Sequence, residues 1–436
     1  MIINRNNIKI LLLACCFVIS YRLTLRTPLY GFFLKVEAAF LVFVVLFCFA
    51  YFANLAVKKE RFFPIEVYVI SILILPAYSA YFALLNFGQP FIYGFFACRQ
   101  FYLVLTALLL LFLLRNRIIN LSHVKASFIF LSWSCLLVYT ILWLLIDPGS
   151  YDKKTLRDTF GSFIRIDAKV TGVHGLVFRI DFIVFGFFYY IINYFKTKIT
   201  LNIFYATLFF CYLFFFQLGR GVVVAVIMTT FVFFIKKVPF NFKIRTLTIF
   251  CISMFVLISA TAIVAPEFLK SSTSRFTHMY TNAFITILGQ NTDETSTSLR
   301  LVEFSNISKH IFEKPLFGNG RFSFQWSGRG SAIVGFFDPS DLGLLGALYT
   351  YGIFGLAIFY IVCLLSYSYI KKIIHFKNDA FLLTCSYLLL YYLVSSLADG
   401  MMFINPANDI ILVAIIYFYL YTEENYCMKT PHAKSN

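Results

Sequence analysis

The stretch that decides the reading of this chain runs over residues 295–325, TSTSLRLVEFSNISKHIFEKPLFGNGRFSFQ, and resumes after a polar insert at residues 336–356, FFDPSDLGLLGALYTYGIFGL. The first part is not apolar enough to be a membrane span. Leu299, Val302, Ile307 and Ile311 recur at roughly helical spacing behind Thr and Ser residues able to cap an N-terminus, which predicts one short amphipathic helix. Pro315 ends that helix. PLFGNG then makes a tight turn, in which Gly318 and Gly320 allow backbone to approach backbone or a ligand closely. Arg300 and Glu303 stand three residues apart and share a helix face; alone they read as an ion pair on a solvated surface.

What surrounds this stretch changes its weight. The 436 residues are 60% hydrophobic, 20% aromatic and only 13% charged, and the mean hydropathy is +0.82, which excludes an ordinary soluble domain and indicates a polytopic membrane protein. The net charge of +17 is dispersed between apolar spans, so a nucleic-acid partner is not expected. The ten cysteines contain no CxxC and mostly lie inside apolar segments, so neither a disulfide framework nor a metal framework is expected. Between Lys9 and Cys15 only residues 10–14 are available, too short for a signal-peptide core, and an uncleaved first span is expected.

Spans of about 20 apolar residues fit about twelve times. They fall near 8–24, 36–57, 66–86, 94–114, 127–146, 173–195, 200–217, 219–236, 246–265, 345–370, 380–397 and 407–422. The expected fold is an all-α, polytopic helical bundle in three parts: nine spans over 1–265, a large loop with short amphipathic helices over 266–341, and three spans with a tail over 342–436. Lys and Arg concentrate in alternate short loops, as at Lys58, Lys59 and Arg61, at Arg115 and Arg117, and at Lys236 and Lys237. That bias puts these loops and both termini inside, and the large loop outside.

The outer side carries cations too, Arg22, Lys35, Arg157, Lys270, Lys309 and Arg321 among them. Arginines at or within span ends are costly there and normally face the bundle with an anionic partner. Arg220, in QLGRGVVVAVI, has no adjacent acid and reads either as such a residue or as a snorkelling turn residue. Arg179 has Asp181 close by, which favours a structural pair.

These residues resemble the bacterial O-antigen polymerase and ligase superfamily. QLGRG before a span is similar to that family's small-residue turn, with Arg220 on the family arginine. SLR followed by PLFGNG resembles the end of its large periplasmic loop, matching Arg300 and Gly318–Gly320, and DLGLLGALYTYGIFGL resembles the segment leading into the next span. The resemblance covers nearly the whole chain through order and spacing more than through any one motif. Ligases of the family carry a His-Asn pair before the last motif; this chain has Asp338, Pro339, Ser340 and Asp341 there, closer to the repeat-unit polymerases.

The resemblance implies an enzyme of the bacterial inner (cytoplasmic) membrane that transfers a growing glycan from undecaprenyl diphosphate to an incoming lipid-linked repeat unit. Membrane lipids, a flippase and a chain-length regulator would be its neighbours. The diphosphate leaving group calls for fixed cations, and the planar fork of arginine suits them: Arg220 and Arg300 first, then Arg165 and Arg179. The acceptor hydroxyl calls for a base, with Asp341 first and Glu303 second. No cofactor or metal is expected, although Asp338 with Asp341 could hold a divalent ion. A ligase acting on lipid A-core and a lipid-linked oligosaccharide flippase remain the alternatives, the second opposed by the lopsided loop and the absence of an internal repeat.

Overall fold

The computed structural model describes residues 5–24, 30–58, 64–145, 164–166, 174–176, 178–216, 220–237, 240–264, 295–323, 325–326, 333–335, 337–376 and 379–429, with 270, 273, 277, 281 and 285. These residues are helical apart from turns and one antiparallel pair of three-residue strands, Ile164–Ile166 with His174–Leu176. Each expected apolar span holds helix. Four helical stretches are long and apolar enough to cross a membrane, five if one bent pair counts as a span, and several apolar helices are shorter. Their outward faces are apolar as well: Val42, Phe43, Leu46 and Phe49 all project from the Tyr30–Lys58 helix, Phe49 at 71% exposure. A surface of that kind suits lipid rather than water.

Several boundaries differ from the expectation for local reasons. The third span is two helices, Pro64–Ile72 and Leu75–Phe87, because Pro76 has no N–H to continue the ladder. Leu75–Phe87 ends at Gly88, whose φ of 69° lets its N–H return to the Leu84 carbonyl. The fourth span is bent by 47° between Phe91–Ala97 and Arg99–Arg115, with a 3₁₀ stretch, Arg99–Val104, at the bend. The sixth starts only at Asp181; residues 174–176 at its expected start are strand.

Two compact units divide the chain, and neither is continuous in sequence. The first comprises Met1–Cys16, Glu37–Lys125 and Val302–Asn436; the second comprises Phe17–Val36 and Ala126–Leu301. At the centre of the first is the Ala407–Lys429 helix, whose residues Ile410 to Ile416 are buried on every side. Helices Pro64–Ile72, Leu105–Arg115, Leu344–Phe376 and Ala380–Ser395 pack around it. The second unit is held by aromatic rings. Phe128 stands 5.0 Å from Phe17 and 5.1 Å from both Phe182 and Phe185, and Gly186 lies flush against the Phe209 ring. Trp133 Nε1 donates to the Tyr190 hydroxyl at 2.6 Å.

The Thr295–Glu313 helix forms as expected but buries a different stripe. Ile307 and Ile311 are buried against Tyr349, Phe337 and Val334, whereas Leu299 and Val302 are half exposed. Glu303, one turn before Ile307, is buried with the apolar stripe at 1% exposure, so the solvated-surface reading of its carboxylate does not hold.

Candidate functional site

The Leu344–Phe376 helix is broken at Gly352, where φ is 62° and ψ is −173°. In an unbroken helix the N–H groups of residues 353 and 354 would bond to the carbonyls of 349 and 350. Here the loop that follows Glu313 takes both sides of that exchange. Ile353 N–H donates to the Pro315 carbonyl and Phe354 N–H to the Leu316 carbonyl, at 2.9 and 3.1 Å. The carbonyls of Tyr349 and Thr350 accept instead from the N–H groups of Asn319 and Gly320, at 2.7 and 3.0 Å. The break therefore leaves none of these four groups unpaired, which is the condition for irregular backbone inside an apolar bundle.

The loop is fixed from its other side by the Leu75–Phe87 helix and the turn after it. Tyr78 donates to the Phe317 carbonyl at 2.8 Å, Asn86 Nδ2 to the Asn319 carbonyl at 3.3 Å, and Lys314 to Asn86 Oδ1. Gly320 has a φ of 83° and lies against the backbone of Ser79 and Ala83, with no room for a β-carbon. Gln89, fully buried, spans the next residues: its Nε2 donates to the Arg321 carbonyl at 3.1 Å and its Oε1 accepts from Ser323 N–H at 2.8 Å. Ser79 Oγ accepts from Arg321 N–H at 2.9 Å.

This architecture delivers Arg321. Its guanidinium lies beside the buried Cys98 thiol and Tyr351 hydroxyl, and Asp338 is within electrostatic reach. Nη1 of Arg321 and the Tyr351 hydroxyl are both buried without a hydrogen-bond partner among the described residues. An arginine cannot shed its proton, and an unmet buried donor costs about 1–3 kcal/mol or more when charged.

The sequence-derived candidates divide between the units. Glu303, Gly318, Gly320, Asp338 and Asp341 belong to the first, and Arg165, Arg179, Arg220 and Arg300 to the second. Asp338 turns the chain before the broken helix: its carboxylate accepts from the N–H and the hydroxyl of Ser340, both at 2.9 Å. Asp341 N–H donates to the Asp338 carbonyl, and Asp341 is half-buried three residues before Leu344 begins the helix. Pro339 and Ser340 press on Gly346 and Gly400, which holds this turn against the Leu344–Phe376 helix and the turn before Met401. Arg300 is half-buried on the Thr295–Glu313 helix and Arg179 is buried just before Asp181. Arg220 opens the Arg220–Lys237 helix and Arg165 sits in the first strand; their side chains lie outside what the structure describes. Among the described residues no group of three His, Cys, Asp or Glu is placed to hold a metal ion.

Arg321, half-buried with its Nη1 enclosed, and Glu66 both escaped the sequence reading as candidate site residues. Arg321 counted there only as one of the outer-side cations; its position between two glycine-dependent contacts, Gly318–Gly320 and Gly352, was the available signal. Glu66 is the other: fully buried, it accepts from the Tyr51 hydroxyl at 2.5 Å and has Arg115 Nη1 at 3.9 Å. No family model, curated protein or solved structure matches the chain.

Proposed function

We infer that the chain is a membrane glycosyltransferase that polymerises undecaprenyl-diphosphate-linked oligosaccharide repeat units at the outer face of the bacterial inner membrane. The observation that carries this reading is the loop Pro315–Ser323 threaded through the break at Gly352, which fixes the half-buried Arg321, its Nη1 enclosed, within electrostatic reach of a carboxylate, Asp338. A polar, backbone-lined point of this kind in an apolar bundle suits a substrate whose charged head lies at the membrane surface and whose tail lies in lipid. The sequence resemblance supplies the substrate class, and the Asp-Pro-Ser-Asp turn in place of His-Asn favours polymerase over ligase.

In this reaction the acceptor hydroxyl oxygen attacks the anomeric carbon of the donor sugar. The bond from that carbon to the diphosphate oxygen breaks, and prenyl diphosphate leaves with the electron pair. Asp341 takes or orients the acceptor proton, with Glu303 as the second candidate. Arg300 and Arg220, then Arg165 and Arg179, meet the growing negative charge of the leaving group. With twelve spans, the bias of Lys and Arg would put both termini in the cytoplasm and the loop 266–341 outside.

Deleting the gene and resolving surface polysaccharide on a gel tests the reading. Products of a single repeat unit are expected. Loss of all attached polymer, with lipid-linked chains accumulating, would instead indicate ligase, and an unchanged ladder would remove both.

A further inference from the structure

The main chain of Arg321 is fixed at both of its polar groups by side chains, Ser79 on the N–H and Gln89 on the carbonyl. The guanidinium it carries is held beside Cys98 and Tyr351, yet Nη1 faces no acceptor of hydrogen-bond geometry among the described residues, and the Tyr351 hydroxyl, close to Cys98 and Arg321 as it is, meets none there either. Asp338 offsets part of the charge from a distance, but its carboxylate oxygen is already engaged by Ser340. A cation with one donor edge open, next to a second unmet donor, matches one ligand chemistry: an anionic oxygen.

We propose that Arg321 and Tyr351 together bind an anionic phosphate-class oxygen, Nη1 and the Tyr351 hydroxyl donating to it. This rests on the lipid-diphosphate reading above, and both residues belong to the first unit. The loop's rigidity gives the arrangement its purpose: a guanidinium that is already oriented loses little freedom when the oxygen arrives. The two sources of such an oxygen at a membrane surface are the lipid-linked diphosphate and a phospholipid headgroup. The lipid-diphosphate reading favours the first.

The test is binding by the full-length protein in phosphatidylcholine nanodiscs, titrated with farnesyl diphosphate as a short prenyl diphosphate, and in parallel in nanodiscs containing phosphatidylglycerol. Arg321→Gln should weaken farnesyl diphosphate binding by about ten- to a hundredfold, the range of a charge-assisted hydrogen bond. Tyr351→Phe should weaken it a few-fold. Asp338→Asn keeps the acceptor for Ser340, removes a nearby negative charge, and should strengthen binding several-fold. These two variants decide the matter if Arg321→Gln does not fold. Wild-type protein that does not bind, or Tyr351→Phe and Asp338→Asn with wild-type affinity, overturns the proposal. Arg321-dependent competition by phosphatidylglycerol without a response to farnesyl diphosphate would overturn the substrate assignment in favour of a headgroup. Polymer formation is scored separately. Binding that ignores Arg321 in a protein that still polymerises defeats this inference alone, and Arg321-dependent binding in a protein that transfers no glycan defeats only the assigned reaction.

Discussion

Gly318 and Gly352 meet backbone to backbone. A β-carbon on Gly318 would stand 2.5 Å from the Gly352 nitrogen, and one on Gly352 would stand 2.6 Å from the Gly318 nitrogen. Both residues also have positive φ, 72° and 62°. Alanine at either position therefore forces the loop and the broken helix apart, on top of a left-handed backbone cost of about 1–2 kcal/mol. Gly88 shares the positive φ but has open space around it, so Gly88→Ala should cost only that backbone term. Thermal unfolding of the detergent-solubilised protein should rank Gly318→Ala and Gly352→Ala far below Gly88→Ala. Because both break one contact, the double variant should be little worse than the worse single one. Equal losses at all three glycines would mean that the contact contributes nothing.

Gln89→Leu keeps the bulk of the side chain and removes both of its bonds. The Arg321 carbonyl and the Ser323 N–H would then be left unmet in a buried place, each at about 1–3 kcal/mol. The expected result is a lowered unfolding temperature together with reduced transfer, since Arg321 is no longer fixed. Wild-type melting by Gln89→Leu would show that the clamp is dispensable.

Asp341→Asn separates two roles for one residue. If its carboxylate removes or orients the acceptor proton, transfer should slow by about 10²–10⁴-fold while the protein accumulates and melts normally. If it serves only the start of the Leu344–Phe376 helix, Asn does nearly as well and activity stays within a few-fold of wild type. The second result would promote Glu303, the second candidate base, which lies in the same unit.

How much of this could be read in advance depended on whether the signal was local. Helices announced themselves through uninterrupted apolar runs, and Pro76, Gly88 and Pro315 mark helix boundaries by their own backbone chemistry. The PLFGNG turn was legible for the same reason. The break at Gly352 was not, because YTYGIFGL is as apolar as an intact span and the partner that satisfies its backbone lies more than thirty residues earlier in the chain. Tertiary packing also selected the face of the Thr295–Glu313 helix. Periodicity admitted Leu299 and Val302, but Tyr349 and Phe337 lie beside Ile307 and Ile311. Arg321 could not be told from the other arginines read as outer-side, since the surroundings of its head come from Cys98 and Tyr351 in distant segments.

The proposed side of the membrane rests on the distribution of Lys and Arg and can be checked directly. A reporter fused near Asn291 should be active outside the cytoplasm, and one near Lys237 inside. Both on one side would discard the twelve-span arrangement and the outward position of the loop.

The most direct measurement is reconstitution of the purified protein with undecaprenyl-diphosphate-linked repeat units as the only substrates. The account predicts a ladder of lengthening lipid-linked glycan with release of undecaprenyl diphosphate, and its near disappearance with Asp341→Asn. Intact, unextended substrate after incubation with folded wild-type protein would contradict it.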